Sequence, residues 1–276
     1  MEIANKFIKL KVDESGAGIY SLKYLGKELI WQKKSGYWPE SAPVLFPFCG
    51  FLKDGFYLHD NIRYEVPAHG FASSQIFEID SFSDSKICLC LKSNKETLQL
   101  YPFNFELKIS YELFNSALLI SFTVKNTEDK KTLPFSIGWH PGFQISEGAC
   151  IKFSKSEFKR KKVVEGGLIG SESSFFLKNN TLILNEETLK MGGIVLENPS
   201  ADISLLDKNY ELSFDFKEFP YLVIWGQPGA GFICIEPWYG MGDKADHKHQ
   251  FTGKESLIHL EPGREKTLNS IIKIKA

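Results

Sequence analysis

Short apolar runs broken by turn residues roughly every ten positions fill nearly the whole chain, a spacing that belongs to sandwiches and barrels. Phe7 to Val12 alternates apolar and polar residues, the period of a half-buried strand. Tyr20 to Trp31 predicts a hairpin turning at Gly26-Lys27, and Ile87 to Leu91, apolar throughout between Lys86 and Lys92, predicts a strand buried on both faces. The clearest hairpin pairs Phe103 to Tyr111 with Ala117 to Val124 around Asn115-Ser116. More strands are expected at Leu182 to Leu184, Ile203 to Leu206, Leu212 to Phe216, Tyr221 to Trp225, Phe232 to Ile235 and Ile271 to Ile274. One short helix is expected over Glu186 to Met191, where the Asn185 side chain can accept from an N–H of the first turn. No strand–helix alternation marks a doubly wound sheet, and neither a linker nor an internal repeat divides the chain. The expectation is one large antiparallel all-β domain over residues 1–276.

An aromatic share of 14% agrees, since aromatic side chains favour pleated, half-buried surfaces. A net charge of -1, from 33 basic and 34 acidic residues, argues against nucleic acid or a membrane surface as partner. No apolar run reaches the length of about 18 residues that a spanning helix needs. Met1 to Val12 reads as a strand rather than a signal peptide, and five scattered cysteines fit reduced thiols, so a cytoplasmic location is expected.

Three segments can carry acid–base chemistry. His140, in Gly138-Trp139-His140-Pro141-Gly142, follows an apolar strand and is biased to extended geometry by Pro141. It fits either an acid–base imidazole or a semi-buried histidine bonded to a carbonyl. Glu236, in Cys234-Ile235-Glu236-Pro237-Trp238-Tyr239, ends an apolar strand, where burial would raise its pKa as a general base requires. Trp238 and Tyr239 beside it offer ring faces to a sugar; the plain alternative is an exposed carboxylate at a strand end. His69, in Pro67-Ala68-His69-Gly70-Phe71-Ala72, is a candidate hydroxyl donor or an ordinary loop histidine. Ser41 to Gly50 reads as a buried strand entering a turn at Lys53-Asp54-Gly55.

Other signals are weaker. Gly226 to Gly231 is Gly-rich but lacks the Lys-Ser/Thr of a phosphate loop and reads as a hairpin turn. Asp243, Asp246, His247 and His249 could gather a metal, but with Lys244 and Lys248 among them a solvated loop is favoured, so no metal is expected. Cys88 and Cys90 share a strand face, too far apart for a disulfide, and are expected in the core.

Together Ala42-Pro43-Val44-Leu45-Phe46-Pro47, His69-Gly70-Phe71-Ala72, Gly138-Trp139-His140-Pro141, Cys234-Ile235-Glu236-Pro237-Trp238 and Leu260-Glu261-Pro262-Gly263 resemble, in order, the aldose 1-epimerase (galactose mutarotase-like) family. The similarity is to the bacterial branch holding LacX-like proteins and hexose-phosphate mutarotases. It implies a large antiparallel β-supersandwich with an open sugar cleft, and anomer interconversion without cofactor or metal. His140 would then be the general acid, Glu236 the general base, and His69 a sugar-polarising group; Trp139, Trp238, Lys53 and Asp243 are expected to help bind the sugar. The implied partner is an aldohexose, with or without a phosphate, bound by a monomer or homodimer. Two positions depart from the family pattern: Phe51 follows Gly50 where Gly-Arg is common, and Ser73 stands where His-Gly-Phe-Ala is often followed by Arg. Arginine suits bidentate recognition of hydroxyls or phosphate, so both departures bear on a phosphorylated substrate.

The implied chemistry removes a proton from the anomeric hydroxyl while one is given to the ring oxygen. With Glu236 ionised and His140 protonated, attraction between them should raise the histidine pKa and lower the carboxyl's, giving a bell-shaped pH profile. The competing readings are a non-catalytic carbohydrate-binding or sensing protein using the same cleft, and a glycoside hydrolase pairing Glu236 with Asp243.

Overall fold

A computed structural model describes residues 1–199 and 202–275. Two large antiparallel sheets carry the architecture, one of nine strands and one of eight. The hairpin Phe105–Phe114 and Ala117–Asn126 sits within the nine-stranded sheet, in register from Phe105↔Asn126 to Phe114↔Ala117, with Glu265–Lys275 alongside. The eight-stranded sheet places Phe232–Tyr239 between Tyr221–Trp225 on one side and Ile137–Trp139 with Gly142–Gln144 on the other. A four-stranded N-terminal sheet and two hairpin-sized sheets complete the fold. Among the described residues helix is confined to Lys95–Leu100 and Glu186–Lys190 plus single 3-10 turns.

Side chains alternate across a strand, and that alternation positions the site. From the eight-stranded sheet, Leu222, Ile224, Ile233 and Ile235 enter the main core, where they meet Leu107, Ile109 and Tyr111 of the other large sheet. The intervening residues Val223, Trp225, Cys234 and Trp238 belong to two smaller clusters on the opposite face. Phe232–Tyr239 is therefore buried along nearly its whole length, and Glu236 falls on the face away from the main core.

The expected strands are present, with bounds shifted by a few residues. The short helix forms, and the Asn185 side chain accepts from Thr188 N. Residues 226–231 do form the turn between two paired strands. Two expectations need correction. Lys95–Leu100 is a helix the periodicity gave no sign of, closed by a capping box in which Asn94 Oδ1 accepts from Thr97 N and Thr97 Oγ1 from Asn94 N. Residues 41–50 are nearly all buried but hold only the two-residue strand Val44–Leu45. Cys88 and Cys90 are buried as expected, paired with Ser110 and Lys108 of the neighbouring strand. All five cysteines are free thiols.

Candidate active site

The outer face of the eight-stranded sheet floors a cleft of about 440 Å³, within the range of small-molecule sites. Glu236 stands at that floor, 1% exposed. Its neighbours across the sheet are apolar, Val223 opposite it and Val195 opposite Val223, one strand spacing apart each. Trp238, two residues on and on the same face, donates from Nε1 to Glu236 Oε2 at 3.1 Å. Glu236 Oε1 is buried without a hydrogen-bond partner.

His140 reaches the same point from the adjoining strand. Its backbone N donates to Pro43 O at 3.0 Å, fixing the segment against Ala42-Pro43. Its ring lies over Trp38, centroids 4.7 Å apart, with the Trp225 ring edge-on at 5.7 Å. His140 Nε2 is 3.3 Å from Glu236 Oε2, and Nδ1 has no hydrogen-bond partner. The two candidate acid–base groups thus converge.

Burial decides their protonation. It holds the Glu236 carboxyl well above the usual carboxylate range and the His140 imidazole well below its usual value, the latter helped by His69. Both shifts run opposite to the direction expected from mutual attraction, because burial penalises each charge. Both directions favour a neutral carboxyl beside a neutral imidazole. The proton count of that pair equals that of a carboxylate beside an imidazolium; only the proton's position differs.

His69 takes a left-handed backbone, φ 67°, and is locked to Gly50 by two bonds. Its N donates to Gly50 O at 2.9 Å, and its Nδ1 accepts from Gly50 N at 3.2 Å. The neutral ring therefore carries its proton on Nε2, and burial lowers its pKa to about 4. Its ring stands edge-on to His140 at 5.4 Å. Gly50 cannot be replaced: a Cβ would come within 2.7 Å of Gly242 N.

Of the other expected site residues only Trp238 lines the cleft. Trp139 is fully buried in the core, donating from Nε1 to Ala42 O, because it points to the opposite side from His140. Asp243 is not in a solvated loop. Its carboxylate is buried, bonded to Lys254 Nζ at 2.6 Å and to Lys53 N at 2.9 Å. Lys53 directs its Nζ to His247 O. Neither Lys53 nor Asp243 lines the cleft. The candidate metal stretch also diverges: His247 contacts Asp243, while His249 stacks on Phe56 and pairs with Asp54.

Several cleft residues were not anticipated. Trp38 and Trp225 flank His140, and Val163, Ile169, Val195 and Val223 form an apolar wall. Trp38 is held by Gln227 Oε1, which accepts from its N, and by Trp31 Nε1, which donates to its O. Tyr37-Trp38 in an otherwise polar loop was a usable signal. Phe51 lines the cleft, its ring 5.8 Å from that of His69, while Ser73 packs beside Gly16 away from the site. Among the described residues no lysine or arginine lines the cleft.

The family model for aldose 1-epimerase matches residues 1–273. The chain is 28% identical to the chromosomal LacX protein of Lactococcus lactis over 95% of both chains. It is similar to a galactose mutarotase related enzyme of Lactobacillus acidophilus, with a TM-score of 0.94, 28% identity and coverage of 100% of this chain and 97% of that one. A galactose mutarotase-like protein of Lactobacillus casei gives 0.93 and 26%, covering 100% and 99%. With its fold, its order of motifs and a match over nearly its full length, the chain belongs to the aldose 1-epimerase family.

Proposed function

We propose that this protein interconverts the α and β anomers of an uncharged aldose through the His140–Glu236 pair. Family membership supports a mutarotase-like isomerase, and the 3.3 Å approach of Nε2 to Oε2 carries the assignment of roles. The anomeric hydroxyl and the ring oxygen are both bonded to C1, so they lie side by side. A donor and an acceptor held side by side can serve both at once. Glu236 as carboxylate takes the hydroxyl proton while His140 as imidazolium protonates the ring oxygen; rotation about C1–C2 and reclosure give the other anomer. Where the pair's proton starts on the carboxyl, its transfer from Glu236 Oε2 to His140 Nε2 leaves the carboxylate that accepts the hydroxyl proton and the imidazolium that protonates the ring oxygen. Each group contributes about two to four decades of rate. His69 donates from Nε2 to a sugar oxygen, and Trp38, Trp225 and Trp238 supply ring faces.

A cleft without lysine or arginine favours a neutral sugar, since a phosphate would go unpaired. Polarimetry on freshly dissolved α-D-glucose and α-D-galactose should show faster mutarotation with the protein, and the corresponding 6-phosphates should be poorer substrates. No acceleration for any aldose, with sugar binding still seen by calorimetry, would establish instead the carbohydrate-binding role.

A further inference from the structure

Cys234 lies beside the acid–base pair and has no part in the reaction. It shares a strand face with Glu236 and is fully buried among Trp31, Phe232, Trp38 and Trp225. One donor atom from each of Cys234, His140 and Glu236 lies within 4.8 Å of the others, and no other such trio gathers among the described residues. His140 is 8% exposed and Glu236 1%, yet each keeps a buried side-chain atom, Nδ1 and Oε1, without a hydrogen-bond partner.

The donor set points to a cation. Thiolate, imidazole and carboxylate are the ligands of zinc, and three protein ligands with a fourth position open is its usual arrangement where it meets small molecules. Here the open position faces the cleft, which both His140 and Glu236 line. Tetrahedral zinc holds ligand atoms about 3.5 Å apart. His140 Nε2 and Glu236 Oε2 are already at 3.3 Å, so closure falls mainly to the thiol.

We propose that Cys234, His140 and Glu236 form an inhibitory site for Zn²⁺, in which the ion replaces the proton the pair shares and stops anomer exchange. Two protons leave per ion bound, one from the thiol and one from the His140–Glu236 pair, and no electrons move. The inhibition rests on the mutarotase reading; the binding does not.

Co²⁺ serves as the probe because a thiolate ligand gives it a charge-transfer band in the near ultraviolet. One equivalent of Co²⁺ per chain should produce that band, and Zn²⁺ should abolish it. Cys234→Ala and Cys234→Ser should both lose the band. Loss of an outer partner already weakens a metal site by about 10–100-fold, so loss of this ligand should cost about 100-fold or more in Zn²⁺ affinity. Metal-free anomer exchange should be unchanged in both variants. In the wild type Zn²⁺ should abolish exchange and a chelator restore it. A Co²⁺ complex without the band, or Zn²⁺ inhibition that persists in either variant, overturns the site. A Cys234-dependent band in a protein that exchanges no anomers would uphold the site and overturn only the enzymatic reading.

Discussion

Glu236 Oε1 and His140 Nδ1 are buried without partners, and each such atom costs about 1–3 kcal/mol. A chain under selection for stability alone would not keep them. Glu236→Gln retains an acceptor for Trp238 Nε1 and removes the ionisable group. It should lower anomer exchange by about two to four decades while leaving the melting temperature equal to or above that of the wild type; a marked loss of stability would make Glu236 a structural residue. His69, His140 and Glu236 were legible in the sequence because each sits in a short stretch of Gly, Pro and aromatic residues that fixes the backbone nearby. Their protonation was not, because the balance of burial and attraction depends on what covers them. Trp139 was misplaced for a simpler reason: adjacent strand residues point to opposite faces, so a site at His140 sends Trp139 to the core.

At the scale of elements, the site depends on a knot just behind the cleft lining. Asp243 joins two segments of the cleft to Lys254: its carboxylate accepts from Lys53 N and Lys254 Nζ, its N donates to Phe51 O, and its O accepts from Ile169 N. Gly50, next along the first segment, sets the His69 tautomer. Asp243→Ala would leave the buried Lys254 ammonium unpaired and should cost about 3–5 kcal/mol by chemical denaturation, with part recovered in Asp243→Leu/Lys254→Met. An effect below 1 kcal/mol, on the scale of surface pairs, would show the knot to be dispensable. The sequence placed Asp243 among lysines and histidines that resemble a solvated loop, and nothing local revealed that Lys254, eleven residues on, folds back onto it. Strand periods were legible throughout. The partner of each strand in the sheet was not, since register is decided by contacts far apart in the chain.

At the scale of the whole molecule, one core cluster runs through both large sheets and the N-terminal sheet, including Leu10, Leu22, Ile109 and Ile235. The chain should therefore unfold as one unit, with tryptophan fluorescence and far-ultraviolet dichroism giving coincident transitions; two separated transitions would divide it. The eight-stranded sheet is the shared wall, its inner face closing the core and its outer face holding the site. Its shelter also sets the pH response. Burial pushes addition of a second proton to the pair below the usual imidazole range and loss of its one proton above the usual carboxylate range, so the active proton count persists between those limits. The decisive measurement is the rate of anomer exchange by NMR as a function of pH, for the wild type and Glu236→Gln on a neutral aldose. The wild type should show a wide plateau whose acid limb lies below the ordinary histidine pKa of about 6.5, and the variant should have lost the plateau. A wild-type rate that falls through that value, or a variant that keeps the wild-type profile, would contradict the shared-proton pair.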